Sequence, residues 1–291
     1  MPFSEQSPSY SARLLIDCAD QPGIVAAVSG FLFEQGANIV SSHQYSSDAT
    51  GGRFYMRTEF FLEGLGQDRD RFEREFGERV GTPLQMEWEI RHWGQRRRLA
   101  ILVSRHDHCL VELLWRQRRG ELDAEVVAVV SNHPDLSDEA VAAGVPFHHV
   151  PVAPETKPQA EQRMLELLRG NVDLVVLARY MQILSGDFLD SLEAPVINIH
   201  HSFLPAFAGA DPYRRAREHG VKLIGATAHY VTEELDAGPI IEQDVARVDH
   251  RHTVADLERI GRDIERLVLW RAVSLHLDDR VIADAGRTIV F

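Results

Sequence analysis

Cysteine is scarce in this sequence: 291 residues include only Cys18 and Cys109, far apart and without a CxxC pair. That excludes a disulfide framework and a cysteine-built structural zinc site, and it suits a reducing compartment. Positive charge is also short. With a formal net charge of −13, broad capture of nucleic acid or of an anionic membrane is not expected, although a local basic patch could still receive a small anion. No apolar run reaches about 18 residues, so no membrane span is expected. The opening MPFSEQSPSYSARLL has no basic stretch followed by an apolar one, so no secretory leader is expected and the chain reads as cytoplasmic. Internal repeats and low-complexity tracts are missing as well.

What is there is enough apolar material, 44% of residues, for two modest domains or one large one. Residues 1–90 read β-α-β-β-α-β. Arg13–Ala19 is strand-like, and DQPGI turns the chain, with Pro22 and Gly23 at a helix start. Ile24–Gln35 repeats Val25, Val28, Phe31 and Leu32 at helical spacing, and Gly36 stops it. Asn38–Tyr45 and Arg53–Phe61 are extended runs joined by a loop holding Gly51 and Gly52. Asp68–Val80 is a charged amphipathic helix, and Leu84–Ile90 alternates as a strand. That order is the split β-α-β of a ferredoxin-like α+β domain. RHWGQRRR, residues 91–98, reads as an exposed basic linker.

Over residues 99–291 the rhythm changes. LAILVS, VVAVVS, DLVVLA and PVINIH are nearly continuous apolar runs, separated by helical stretches such as Leu110–Arg118 and Pro158–Leu168. This is the pattern of an α/β domain with a doubly wound, mostly parallel, Rossmann-like sheet. Ligands bind such sheets beyond the carboxyl ends of the strands. The long helix Val254–His276 is expected at the C-terminal edge. No glycine-rich turn comes after LAILVS; the chain continues SRHDHCLVELL, which removes most support for nicotinamide or P-loop binding. Cys109 at a helix start raises a Cys–His nucleophile. The alternative is that Asp107 caps the helix and Cys109 packs as a small hydrophobe.

The stretch APVINIHHSFLP ends a buried strand on polar side chains. Asn198 and His200, two apart, point the same way, and His201 points oppositely. GATAHYVTEELDAGPII, residues 225–241, places Asp236 just before the Gly238-Pro239 turn. A metallohydrolase could draw zinc ligands from His200, His201, His229 and Asp236, but adjacent strand histidines point apart, so at most one of that pair serves easily.

Taken together, these segments resemble the formyltransferase family of folate enzymes. The resemblance rests on Asn198-Ile199-His200, Ser202-Phe203-Leu204-Pro205, and His229-Tyr230-Val231 through Asp236-Ala237-Gly238-Pro239. LARYMQILS, residues 177–185, is similar to the family's pteridine-pocket segment. The first module, with DQPGI and GANI, resembles an ACT domain. The family resemblance implies that the substrate is 10-formyltetrahydrofolate; no metal, nicotinamide or other cofactor is expected, since no glycine-rich turn or plausible ligand set appears. It implies that Asn198 and His200 donate to the formyl oxygen, while Asp236 orients water and moves protons. By the same resemblance, Tyr180, Met181, Ile183, Leu184, Leu204 and Val231 shape the pterin slot. The cations Arg179, Arg214, Arg215 and Lys222 read as solvated residues that could meet the glutamate tail.

The ACT-like module implies a small amino-acid effector, such as glycine or methionine, near Asp20, Gly23, Ile24 and Asn38, and a homodimer or homotetramer. The family's transfer-RNA branch carries a further C-terminal domain, which is not expected here. Arg105, His106, Asp107 and His108 stand where an amine-formylating member has a glycine-serine phosphate loop, and are expected to fill the acceptor's space. The resemblance therefore points to the hydrolytic branch, releasing tetrahydrofolate and formate for purine biosynthesis and for balance among one-carbon folates. The alternative is formyl transfer to an amine such as glycinamide ribonucleotide. A non-catalytic amino-acid sensor is a third reading, which an intact Asn198, His200 and Asp236 opposes.

Overall fold

Every second residue of Ser11–Ala19 is buried, with Ala12, Leu14, Ile16 and Cys18 on one face, as a strand covered on one side requires. The computed structural model describes residues 11–48, 50–92, 94, 96–204 and 212–291. Trp93 and Gln95 of the expected linker and Pro205 of the quoted motif lie outside them. Two compact units divide ahead of Arg96.

In the first unit, β1 (Ser11–Ala19) leads to α1 (Ile24–Glu34), then β2 (Asn38–Ser46), β3 (Arg53–Phe61), α2 (Arg69–Phe76) and β4 (Glu87–His92). The sheet order is β2-β3-β1-β4, antiparallel throughout. The expected ferredoxin-like arrangement is present. Its core joins the strand face to Ile24, Val28, Phe31, Leu32, Phe72 and Phe76, each worth about 1.5–3 kcal/mol when removed from water. The second helix stops at Phe76 and gives way to a π turn over Gly77–Gly81. Trp88 of β4 presses on that turn: a Cβ on Gly81 would lie 2.4 Å from its Nε1. Residues after the turn carry Gln85 at φ 52, so β4 begins at Glu87 rather than Leu84.

The second unit runs β5 (Arg97–Val103), α3 (His108–Arg118), β6 (Ala124–Ser131), α4 (Ser137–Ala142), β7 (Phe147–His149), α5 (Lys157–Leu168), β8 (Leu174–Ala178), α6 (Gly186–Leu192), β9 (Val196–His200), α7 (Pro212–Glu218), β10 (Leu223–Tyr230), β11 (Ile240–Arg247), α8 (Val254–Leu277) and the hairpin β12 (Val281–Asp284) and β13 (Arg287–Val290). The sheet order is β11-β10-β9-β8-β5-β6-β7. β7 through β9 pair in parallel, and β10 and β11 add an antiparallel edge. One core holds α3 and α8, the other α5 and α6, so the sheet is covered on both faces. The order reverses between β5 and β8, which opens the crevice where such sheets bind ligands.

One expectation needs correction. The 91–98 stretch is not all linker, because Arg91 and His92 end β4 and Arg97 and Arg98 begin β5. Arg97 is ion-paired to Asp279, and Arg98 to Asp173 at 2.9 Å, so these charges anchor the first strand of the second sheet. The long helix α8 packs over the C-terminal edge of the sheet, on β10 and β11, and reaches β9 and α3 as well. Leu257, Ile264, Val268, Leu269, Ala272 and Val273 bury it in the core that also holds α3, β9 and β10 residues.

Candidate active site

β9 is buried on both faces, so its polar side chains need partners. The register sets Asn198 opposite His229 and His200 opposite Thr227 across the antiparallel β9–β10 pair, and cross-strand neighbours on one face are close enough to bond. The Asn198 Nδ2 donates to His229 Nε2 at 3.2 Å. His229 Nδ1 faces the Tyr230 carbonyl at 2.8 Å. A carbonyl only accepts, so Nδ1 carries the proton and Nε2 is left to accept from the amide. His229 thereby fixes the orientation of Asn198 and leaves the second amide hydrogen free. A bulge between Ala228 and His229 in the pairing with β11 re-aims the imidazole.

Asp236 reaches the same place from the β10–β11 loop. Its backbone is left-handed, φ 55, a region that Asp and Asn tolerate better than most residues. Two residues on, a Cβ at Gly238 would lie 1.7 Å from the Tyr230 carbonyl oxygen, so only glycine lets the loop fold back this tightly. Asp236 Oδ2 lies 3.2 Å from His200 Nδ1, and Oδ1 lies 3.7 Å from His229 Nε2. The hydrogen bond from His200 holds the Asp236 carboxyl well below the usual carboxylate range. The other nitrogen of His200, Nε2, is buried and has no partner. Asn198, His200 and Asp236 are thus together, with one amide hydrogen and one imidazole nitrogen uncommitted.

The six expected pterin-slot residues separate into two groups. Met181 and Ile183 are exposed, at 54% and 58%, and form an open wall. Tyr180 and Leu184 lie in the core beneath, with Val231 packed against the same cluster. Tyr180 donates to Met164 Sδ at 3.6 Å, and burial pushes its phenol pKa up. Leu204 is buried, its N–H bonded to Thr227 Oγ1 and its carbonyl to Gln243. Of the residues that the resemblance puts in the pterin slot, Tyr180, Leu184 and Leu204 are thus buried, and Met181 and Ile183 are the exposed ones. Buried Glu161 holds the end of this wall by accepting from Ser185 N at 2.9 Å and Ser185 Oγ at 2.6 Å, while Ser185 caps α6.

In the first unit, Asp20 and Gly23 share the β1–α1 turn; Asp20 accepts from Ser46 Oγ, and Gly23 has φ 99. Ile24 is buried in the core, so its side chain is unavailable to an effector. Asn38 pairs with Phe61 and Ser11 also pairs with Phe61, whereas Ala19 pairs with Arg53. Asn38 therefore lies at the opposite end of the sheet from Asp20, roughly eight residues or 26 Å away along the strands. One copy of the chain does not bring these four together.

Beside His201 lies a buried charge cluster that the sequence reading missed. Glu265 of α8 is 1% exposed and accepts from His108 Nε2 at 2.9 Å and from the Tyr213 hydroxyl at 2.6 Å. Arg179 Nε lies 3.4 Å from it. Burial alone would raise the Glu265 pKa; the His108 hydrogen bond, then the Arg179 charge, outweigh this and bring it to about 2. Arg179, read from sequence as a solvated cation, is instead nine-tenths buried. Burial first, then Arg179, push His201 down to about 4. The signal was present: Glu265 stands in the apolar stripe of α8, between Ile264 and Val268.

Cys109 is fully buried, and its thiol is pushed well up by burial, which removes it as a nucleophile and leaves the packing role. Asp107 occupies the N-cap position of α3 but makes no side-chain capping bond. Among the described residues, the one convergent set of metal-ligating side chains is His108, Cys109 and Glu265, not the four named from sequence. The Arg179 cation beside Glu265 and the protonated thiol oppose a metal there. The turn after β5 is not filled as expected. Ser104, Arg105 and His106, with His133 and Met181, line an open pocket of about 340 Å³, while Asp107 and His108 turn away into α3.

The sequence pattern of the formyl transferase family matches residues 97–273, and that of the ACT domain matches residues 12–77. A formyltetrahydrofolate deformylase of Mycobacterium tuberculosis is 58% identical over 279 residues, covering 96% of this chain and 90% of the relative. The crystal structure of a formyltetrahydrofolate deformylase from Pseudomonas syringae superposes with a TM-score of 0.93 at 45% identity, covering 99% of this chain and 96% of that one. A glycinamide ribonucleotide transformylase from Symbiobacterium toebii gives a TM-score of 0.64 at 32% identity, covering 69% of this chain and 96% of that one. The chain belongs to the formyl transferase family. Within it, both units together place it among the formyltetrahydrofolate deformylases.

Proposed function

We propose that the protein hydrolyses 10-formyltetrahydrofolate to tetrahydrofolate and formate. The observation that carries this reading is His200, with Nδ1 committed to Asp236 and Nε2 buried and unpartnered, beside an amide aimed by His229. Water adds to the formyl carbon and charge gathers on the formyl oxygen. The free Asn198 amide hydrogen and the His200 imidazole donate to that oxygen, each worth about 3–4 kcal/mol when well placed. Asp236 Oδ1 holds the water. Once bonded to carbon that water becomes strongly acidic, so even a carboxylate held well below its usual pKa takes the proton. The same low pKa makes protonated Asp236 a strong acid toward N10, which must gain a proton to leave. No covalent enzyme intermediate is required.

Water rather than an amine is supported by the full-length likeness to deformylases and by the turn after β5, where Asp107 occupies the helix start that would otherwise favour a phosphate. The test is formate release from the purified chain supplied with 10-formyltetrahydrofolate alone. Formate equal to tetrahydrofolate is expected, unchanged by glycinamide ribonucleotide or by a chelator. Stoichiometric transfer to the amine would make the protein a transferase; loss to chelator with rescue by zinc would make it a metallohydrolase.

The ACT match supports a small amino-acid effector, glycine or methionine, at the Asp20–Gly23 turn. β2 is a sheet edge carrying exposed Ile39 and Tyr45, which supports a homodimer or homotetramer. No helix of the described residues is long and apolar enough to cross a membrane, and a cytoplasmic role supplying formate to purine biosynthesis fits the chemistry.

A further inference from the structure

The chemistry just derived leaves one buried cation without a task. Arg179 follows directly on β8, at the carboxyl end of a central strand and beside the point where the strand order reverses, the place where such sheets hold ligands. Its backbone is left-handed, φ 64, a region that arginine seldom adopts and that is strained when it does. Its side chain is 10% exposed, and its Nε and Nη1 are buried without a hydrogen-bond partner. Buried donors on a charged group are seldom left in that state. The carboxylate beside it is already engaged. Glu265 Oε2 accepts from His108 Nε2 and Oε1 from the Tyr213 hydroxyl, so the 3.4 Å approach of Arg179 Nε to Oε2 is an ion pair without a hydrogen bond.

His201 connects this cation to the reacting residues. Its ring centroid lies 5.1 Å from that of His200 and 6.2 Å from that of Tyr213, and the charges of Arg179, Glu265, His200 and Asp236 all act on it. Burial and the Arg179 charge keep His201 itself uncharged at neutral pH. The buried atoms without partners in this region are all nitrogens: Nε and Nη1 of Arg179, Nδ1 of His108 and Nε2 of His200. Those of Arg179 are permanent donors on a permanent positive charge, which suits a small anion and nothing apolar or cationic. Hydrolysis makes such an anion at every turnover. Formate is ionised at neutral pH, as carboxylates are, and it forms at His200 beside the ionised Asp236, which repels it. We propose that Arg179 receives the departing formate, as ion partner and hydrogen-bond donor, in a product site beyond the end of β8 that takes small planar monocarboxylates. The proposal rests on the hydrolytic reading above and adds to it a residue for product release, and with it inhibition of turnover by free formate.

The experiment titrates the full chain with ¹³C-labelled sodium formate, without folate, and follows the formate resonance; hydrolysis of 10-formyltetrahydrofolate in added formate is measured in parallel. A ligand of three heavy atoms should bind with a Kd on the order of 1–10 mM, and formate in that range should slow turnover. Arg179→Gln made together with Glu265→Gln leaves no uncompensated buried charge; its formate affinity should fall at least about tenfold. Arg179→Lys keeps the charge without the planar donors and should fall between the two, which decides the matter if the double variant does not fold. No formate binding to the wild type at 50 mM, about fivefold above the weakest Kd expected, overturns the proposal. So does an affinity that is the same in the wild type and the Arg179 variants, which would put formate elsewhere. Because binding is read without folate, a chain that binds formate through Arg179 yet releases none from 10-formyltetrahydrofolate fails the hydrolytic reading and not the site.

Discussion

Replacing Asp236 with asparagine removes one charge and changes almost nothing in shape. The substitution keeps an oxygen that can accept from His200 Nδ1, 3.2 Å away, and it suits the left-handed backbone at φ 55, which asparagine tolerates well. Folding should therefore survive, with a melting temperature within about 2 °C of wild type. Chemistry should not. The His200 imidazole holds the native carboxyl ionised, and the amide can neither take the attacking water's proton nor return one to N10. Loss of such an acid–base group costs about 10²-fold or more, the equivalent of about 2.7 kcal/mol in the barrier. Formate release should show that fall in kcat with KM little changed, since the carboxylate acts mainly in the transition state. A folded Asp236→Asn protein with near-normal kcat, or one whose defect lies wholly in KM, would refute the assignment.

Glu265→Gln should destabilise the second unit by about 3 kcal/mol, because Arg179 is left buried without its counter-charge. The native Glu265 pKa of about 2 is below the ordinary 4.5, so the carboxylate's contribution is complete above about pH 4.5 and fades as pH falls toward 2. Melting curves of variant and wild type should therefore differ most near neutrality and converge in acid; a constant gap would contradict the linkage. Calorimetry of the full chain with glycine and methionine should show binding that Asp20→Ala abolishes, and no heat from either at millimolar concentration would remove the effector reading.

Much of the architecture was readable because it is written in local periodicity. Period-two burial in β1 and continuous apolar runs in β5, β6, β8 and β9 are properties of short segments, and they separate an antiparallel sheet from a parallel one. Asn198 and His200 stood out because polar side chains closing a buried strand have no cheap structural use, whereas Asp236, a turn residue by its surroundings, entered through the family resemblance. What was not readable depends on which segments meet. Arg179 looked solvated until Glu265, 86 positions along the chain by the difference of their numbers, arrived beside it. The turn of Arg105 and His106 looked like a plug because side-chain volume can be counted from sequence, whereas the direction in which the chain enters α3 cannot. Asn38 was grouped with Asp20 from motif resemblance, and the strand register put them at opposite ends.

The sheet divides its labour along its width. Asn198, His229 and His200 are set by the pairing of β9 with β10, and Asp236 by the turn after β10. The pocket of Arg105, His106 and His133 hangs from β5 and β6, beyond β8. Residues on the second set of turns can be exchanged without shifting the register of the first. Formyl chemistry can thus be inherited intact while the turns across the sheet diverge, and relatives that hand the same one-carbon unit to different recipients need not rebuild the step that releases it.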